Sequence, residues 1–143
     1  MNYTLELKSI KDTDKLAVKI AHACKNNNLL IFLFGDMGSG KTTLSQHIIK
    51  NIYNNDMQIS SPTYSFMNTY SGGYNIYHFD LYRLKNSAQI FELGLHEYIE
   101  NNNAIRIIEW PDLINFIKPD IIIKLSTEKN HKRANIETIS IDI

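Results

Sequence analysis

The chain has 143 residues, 43% hydrophobic and 21% charged, and its 15 basic and 15 acidic side chains cancel to a formal net charge of zero. That length suits one domain over residues 1–143 whose core needs no disulfide or structural metal. The charge balance excludes a molecule-wide pull toward nucleic acid or an anionic membrane. A single cysteine, Cys24, excludes an intrachain disulfide. With no signal-peptide pattern and no apolar run near the roughly 20 residues of a membrane helix, a cytoplasmic protein without membrane contact is expected.

Residues 3–8 alternate, with Tyr3, Leu5 and Leu7 set against Thr4, Glu6 and Lys8, which predicts a strand with one wet face. Asp12 or Thr13 is suited to cap a helix running to about Lys25, with Leu16, Ala17, Ile20, Ala21 and Cys24 as its apolar stripe. Within that stripe Cys24 reads as a small buried hydrophobe, with no cationic neighbour in sequence to make it a reactive thiol. Residues 29–34 are continuously apolar, as in a strand buried on both faces. A glycine-rich loop follows, and then Leu44, Ile48 and Ile52 mark a helix from Lys41 to Tyr53. Residues 54–63 read as a loop ending in Ser61-Pro62-Thr63. Residues 64–70 and 74–80 suit a hairpin across Ser71-Gly72-Gly73. Asn86 or Ser87 begins a short helix that Gly94 stops. Residues 104–109 form another strand, and Pro111 suits the first turn of a short helix. Residues 120–126 and 134–142 read as a terminal hairpin. Helices gathered around central strands, with no linker between them, imply an α/β fold with a mixed sheet.

Residues 35–42 read Gly35-Asp36-Met37-Gly38-Ser39-Gly40-Lys41-Thr42, which matches G-x-x-x-x-G-K-[ST] without exception. The flanking strand and helix supply the context this phosphate-binding loop needs. Glycines permit positive φ and leave room for phosphate against the backbone. The loop N–H groups and the N-terminus of the following helix face the anion. Lys41 is a point charge for the β- and γ-phosphates, and the Thr42 hydroxyl is a hard oxygen suited to Mg²⁺. The predicted ligand is therefore a nucleoside triphosphate, Mg²⁺–ATP first among them.

Hydrolysis further needs an acid near the metal and a group that orients the nucleophile. Glu109 ends the strand Ile105-Arg106-Ile107-Ile108, and Asp80 ends Ile76-Tyr77-His78-Phe79. Ligands of open α/β sheets sit beyond the C-terminal strand ends, so either carboxylate is placed to reach Mg²⁺ or its water shell. Against this stands an ordinary acid at an exposed strand end. Thr63 falls where a γ-phosphate sensor would lie, or is a plain turn threonine after Pro62. His78 reads as a satisfied buried histidine before it reads as a base. Trp110 is core or a flat surface beside the nucleotide. Arg83, Arg106 and Arg133 read as surface or ion-paired side chains. Lys129, His131, Lys132 and Arg133 read as a solvated turn or as a phosphate or RNA contact.

Four segments taken together resemble the TsaE (YjeE) family, the small bacterial ATPase of tRNA threonylcarbamoyladenosine biosynthesis. They are Gly35 to Thr43, Ser61-Pro62-Thr63-Tyr64, His78-Phe79-Asp80-Leu81-Tyr82-Arg83-Leu84, and Ile108-Glu109-Trp110-Pro111. Phe91-Glu92-Leu93-Gly94-Leu95 also fits the family's run between the third and fourth of these motifs. The resemblance implies a P-loop NTPase fold with a central mixed, mainly parallel sheet flanked by helices. It implies ATP and Mg²⁺ as cofactors, weak intrinsic ATPase activity, and partners of the TsaD and TsaB types, with tRNA engaged indirectly. It carries Mg²⁺ ligation to Thr42 and Glu109, with Asp80 acting through metal or water, and phosphate stabilisation to Lys41. It further implies nucleotide contacts for Thr43, Thr63 and Trp110, and for Thr13 and Arg133.

The competing function is a small-molecule kinase with the same loop. Such kinases bring several arginines on a lid, and three arginines in all argue against it. A regulatory GTPase would need Asn-Lys-x-Asp and Asp-x-x-Gly strings, and neither occurs. A nucleotide-binding module without catalysis would need neither Asp80 nor Glu109.

Overall fold

The apolar run before the glycine-rich loop becomes the central strand of a seven-stranded sheet. A computed structural model describes residues 1–54 and 66–143. Its elements are β1 (Asn2–Leu7), α1 (Ile10–Asn26), β2 (Leu30–Phe34), α2 (Lys41–Tyr53), β3 (Met67–Tyr70) and β4 (Ile76–Asp80). There follow α3 (Ala88–Glu92), α4 (Leu95–Ile99), β5 (Ile105–Glu109), a 3₁₀ turn (Pro111–Leu113), β6 (Ile121–Thr127) and β7 (Lys132–Thr138). The strand order is β1-β7-β6-β2-β5-β4-β3. The inner four strands, β6, β2, β5 and β4, run parallel, while β3, β7 and β1 join by antiparallel pairing. The mixed sheet, parallel in its middle, is thus the predicted one.

Side chains alternate across β2, so both of its faces are buried. Ile31 and Leu33 join Ile105, Ile107, Ile121 and Ile123 beneath α1 and α2. Leu30 and Phe32 join Phe79 and Ile108 beneath Ile90, Leu95 and Ile99 of the short helices. A strand enclosed in this way has no polar face to show, which is why its sequence does not alternate. Asp14 of α1 accepts hydrogen bonds from His47 (2.8 Å) and Asn51 (3.0 Å) of α2, locking the two helices in register. Those bonds, His47 first, hold the Asp14 carboxyl below its usual range.

Three boundaries differ from expectation. Helix α1 begins at Ile10 with Ser9 as its N-cap, ahead of Asp12 and Thr13. Asp12 acts from inside the first turn, where its carboxylate accepts the Lys8 N–H (2.9 Å); an acid there also suits the helix dipole. Gly94 ends α3, but with φ of 72° it also opens α4 immediately, a second helix the periodicity does not announce. Strand β7 spans Lys132–Thr138 rather than 134–142: its pairing with β1 ends at Asn2↔Glu137 and its pairing with β6 at Ile121↔Thr138, and the ladders set the strand's end.

Two singled-out side chains prove structural. Cys24 is buried, and burial, aided by Asp120, pushes its thiol up to about 12. Arg106 lies neither on the surface nor, among the described residues, in an ion pair. It is 3% exposed and donates to the carbonyls of Ile99 (2.6 Å), Ala104 (3.1 Å) and Asn28 (3.1 Å), tying α4 and the start of β2 to β5. Burial pulls its pKa down. Arg106→Leu would strand three carbonyls, and a loss of about 3 kcal/mol in unfolding free energy is expected, read from urea titration.

Candidate functional site

The glycine-rich loop begins where β2 ends. At Gly35 a Cβ would sit 2.4 Å from Ser39 Oγ and 2.7 Å from the Leu125 carbonyl, so only glycine fits without distortion. Gly40, at φ of 105°, is the N-cap that turns the chain into α2. The Ser39 N–H closes the loop on the Asp36 carbonyl (3.0 Å). Lys41, only 6% exposed, folds back over it: Nζ donates to the carbonyls of Gly35 (2.5 Å) and Asp36 (3.0 Å). The same Nζ lies 4.1 Å from the centre of the Trp110 ring, a cation–π contact. Burial draws the Lys41 pKa down, and Glu109, Asp80, Asp36 and Asp112 oppose that shift. Trp110 reaches this position through a left-handed backbone, φ 58°. That conformation is uncommon for a bulky residue and belongs to sites the surroundings hold in place. Tyr82 packs on the Trp110 ring with centroids 4.9 Å apart.

Parallel pairing brings the two carboxylates together. Glu109 stands opposite Leu33 of β2 on one side and Asp80 of β4 on the other. The period of two places Ile105, Ile107 and Glu109, and likewise Ile76, His78 and Asp80, on the face that carries α2. Glu109 is 1% exposed. Its Oε1 accepts the Thr42 hydroxyl (2.7 Å), and its Oε2 lies 2.5 Å from His78 Nε2. Asp80 is half-buried and accepts the Tyr82 N–H (3.1 Å). Burial raises its carboxyl, and the Tyr82 bond works against that. Sequence spacing treats the two acids alike. The folded chain separates them, since Glu109 is joined to the loop threonine and Asp80 is not.

A cavity of about 220 Å³ opens above these groups, lined by Met37, Gly38, Lys41, Thr42, Asp80 and Trp110 among others. A second, of about 250 Å³, lies across the loop and is lined by Ser9, Thr13, Ser39, Thr43, His131 and Lys132 among others. Thr13 thus stands beside the loop. Arg133 does not line this cavity: it is held by Glu6 (2.8 Å) and Glu128 (3.2 Å). Its neighbour Lys132 reaches the loop instead, donating to the Gly38 carbonyl (2.6 Å). In the folded chain Lys132 shares a face of β7 with buried Ala134 and Ile136, and Arg133 lies on the opposite face. Thr63, with the rest of Ser61-Pro62-Thr63-Tyr64, lies outside the described residues. Arg83 is exposed.

Among the described residues no three His, Cys, Asp or Glu side chains cluster into a cage for a metal ion. Hard oxygens are nevertheless gathered at Thr42, Glu109 and Asp80. A donor set this sparse could hold a Mg²⁺ ion only with phosphate and water as further ligands. No helix of the described residues is long and apolar enough to cross a membrane.

A family model described as threonylcarbamoyl adenosine biosynthesis protein TsaE matches residues 7–136. Curated proteins with the name tRNA threonylcarbamoyladenosine biosynthesis protein TsaE are similar over most of the chain. That of Rickettsia conorii is 40% identical over 130 residues, covering 89% of this chain and 73% of the relative. That of Rickettsia felis is 37% identical over 140 residues, covering 95% and 80%. That of Haemophilus influenzae is 34% identical over 113 residues, covering 78% and 70%.

Proposed function

This chain belongs to the TsaE family, whose members act in tRNA threonylcarbamoyladenosine biosynthesis, and from that premise we propose that it is the pathway's Mg²⁺-dependent ATPase. The observation that carries this reading is the hydrogen bond from Thr42 to Glu109 beneath the glycine-rich loop, with Lys41 turned inward above it. On this reading the loop is a P-loop in a P-loop NTPase fold. Its N–H groups and the first turn of α2 receive the phosphates. Lys41 exchanges the carbonyls of Gly35 and Asp36 for phosphate oxygens. Thr42 and Glu109 hold Mg²⁺, and Asp80 orients water beside it. The bound metal neutralises charge on the phosphate oxygens. Trp110 covers Lys41 on one side and excludes water. Thr13, Thr43 and Lys132 border the cavity next to the loop, where the rest of the nucleotide extends.

The ATPase cycle drives or resets a modification complex of TsaD-type and TsaB-type partners in the cytoplasm. Net charge of zero gives no phosphate-driven affinity for tRNA, so tRNA is engaged through the partners. The purified protein is expected to hydrolyse ATP slowly alone and faster with them, in a coupled assay of phosphate release. A pull-down in ATP and Mg²⁺ from source cells should recover both partners. Fast turnover alone, or labelled phosphate on a metabolite, would replace this reading with a small-molecule kinase.

A further inference from the structure

His78 is completely buried, on a sheet face that Ile76, Ile105 and Ile107 otherwise fill with hydrocarbon. An imidazole there is costly, because its Nδ1 has no hydrogen-bond partner among the described residues. Its one strong contact is Nε2 at 2.5 Å from Glu109 Oε2. An ionised carboxylate only accepts hydrogen bonds, so the Nε2 atom carries the hydrogen. The two Glu109 oxygens are therefore divided: Oε2 is pinned from the core side by His78, and Oε1 faces Thr42 at the mouth of the loop.

We propose that His78 is a positioning residue that fixes Glu109 in its metal-holding rotamer. The inference rests on the reading of Glu109 as a Mg²⁺ ligand. A carboxylate with one oxygen pinned presents the other in one direction and loses little freedom when a cation arrives. Pinning also restrains Glu109 from closing on the neighbouring Lys41 ammonium, whose charge it already feels, and keeps that ammonium free for phosphate. A purely structural residue at this position would serve better as leucine or isoleucine.

The test titrates Mg²⁺ against the protein and a fluorescent, non-hydrolysable ATP analogue, with metal-free analogue affinity measured beside it. His78→Leu is expected to weaken Mg²⁺ affinity about tenfold or more while metal-free affinity stays within about twofold. His78→Gln, whose amide nitrogen reaches the place of Nε2, should restore most of the loss; His78→Asn, whose amide reaches only the place of Nδ1, should not. In the wild type, long-range ¹H–¹⁵N spectra should find the ring hydrogen on Nε2. Glu109→Gln is the control. If Glu109→Gln loses the Mg²⁺ response and His78→Leu keeps it, His78 has no positioning role. If both keep it, the Glu109 reading itself fails. An equal fall in metal-free affinity for His78→Leu would make the role structural. Should His78→Leu fail to fold, equal Mg²⁺ affinities for the Gln and Asn variants would overturn the proposal. A hydrogen on Nδ1 in the wild type would overturn it without any variant.

Discussion

Replacing Lys41 by alanine is expected to weaken ATP binding by about 100-fold or more. Each hydrogen bond to a charged partner contributes about 1.5–3 kcal/mol, and about 1.4 kcal/mol is tenfold in affinity. An ammonium serving two phosphate oxygens therefore supplies at least two powers of ten. The site gives this lysine little to fall back on. Its Nζ is buried between the Gly35 and Asp36 carbonyls and the Trp110 ring, and among the described residues no other cation lines the cavity it opens into. Lys132 is committed to the Gly38 carbonyl on the other side of the loop. Isothermal titration with ATP reads the loss directly. Trp110 is the only tryptophan, so its fluorescence should also change in the variant before any nucleotide is added. Unchanged ATP affinity would remove the glycine-rich loop from the binding site.

Glu109→Ala is expected to keep metal-free nucleotide binding and to lose Mg²⁺-dependent hydrolysis by about 100-fold or more, since metal stabilisation of the transition state amounts to several kcal/mol. The expectation comes from burial and connection together. Glu109 is the buried acid, bonded to Thr42, so its removal takes away the carboxylate joined to the loop threonine. Asp80, half-buried and turned to the Tyr82 N–H, does not reach the same hydroxyl. Asp80→Asn should accordingly lower turnover with a smaller change in Mg²⁺ affinity. Phosphate release measured across a Mg²⁺ series separates the two variants. Normal metal-dependent hydrolysis by Glu109→Ala would count against its role as a ligand.

Local chemistry made much of the fold legible. Leu44, Ile48 and Ile52 mark one helix face, and α2 spans Lys41–Tyr53 as the periodicity requires. The unbroken apolar run before Gly35 announced a strand enclosed on both sides, because an interior strand has no wet face to encode. Gly35 through Thr42 was legible because a loop of that geometry admits so few residue types. Less could be read where the determining contact is remote. The end of β7 depends on its pairing with the start of β1 and of β6, strands far away along the chain. Arg106 resembles a surface arginine until Ile99, Ala104 and Asn28 turn their carbonyls to it.

Sequence alone therefore determined the glycine-rich loop, its flanking strand and helix, the two acid-terminated strands and the family those motifs resemble. These are local properties, written in spacing and in the steric demands of single residues. Only the tertiary structure decided that Glu109, and not Asp80, bonds to Thr42, that Lys132 takes the side of the loop where Arg133 had been expected, and that His78 stands behind Glu109. Each of these follows from strand pairing. Parallel register between β2, β5 and β4 sets which side chains meet, and no spacing along one chain encodes the alignment of strands separated by whole helices.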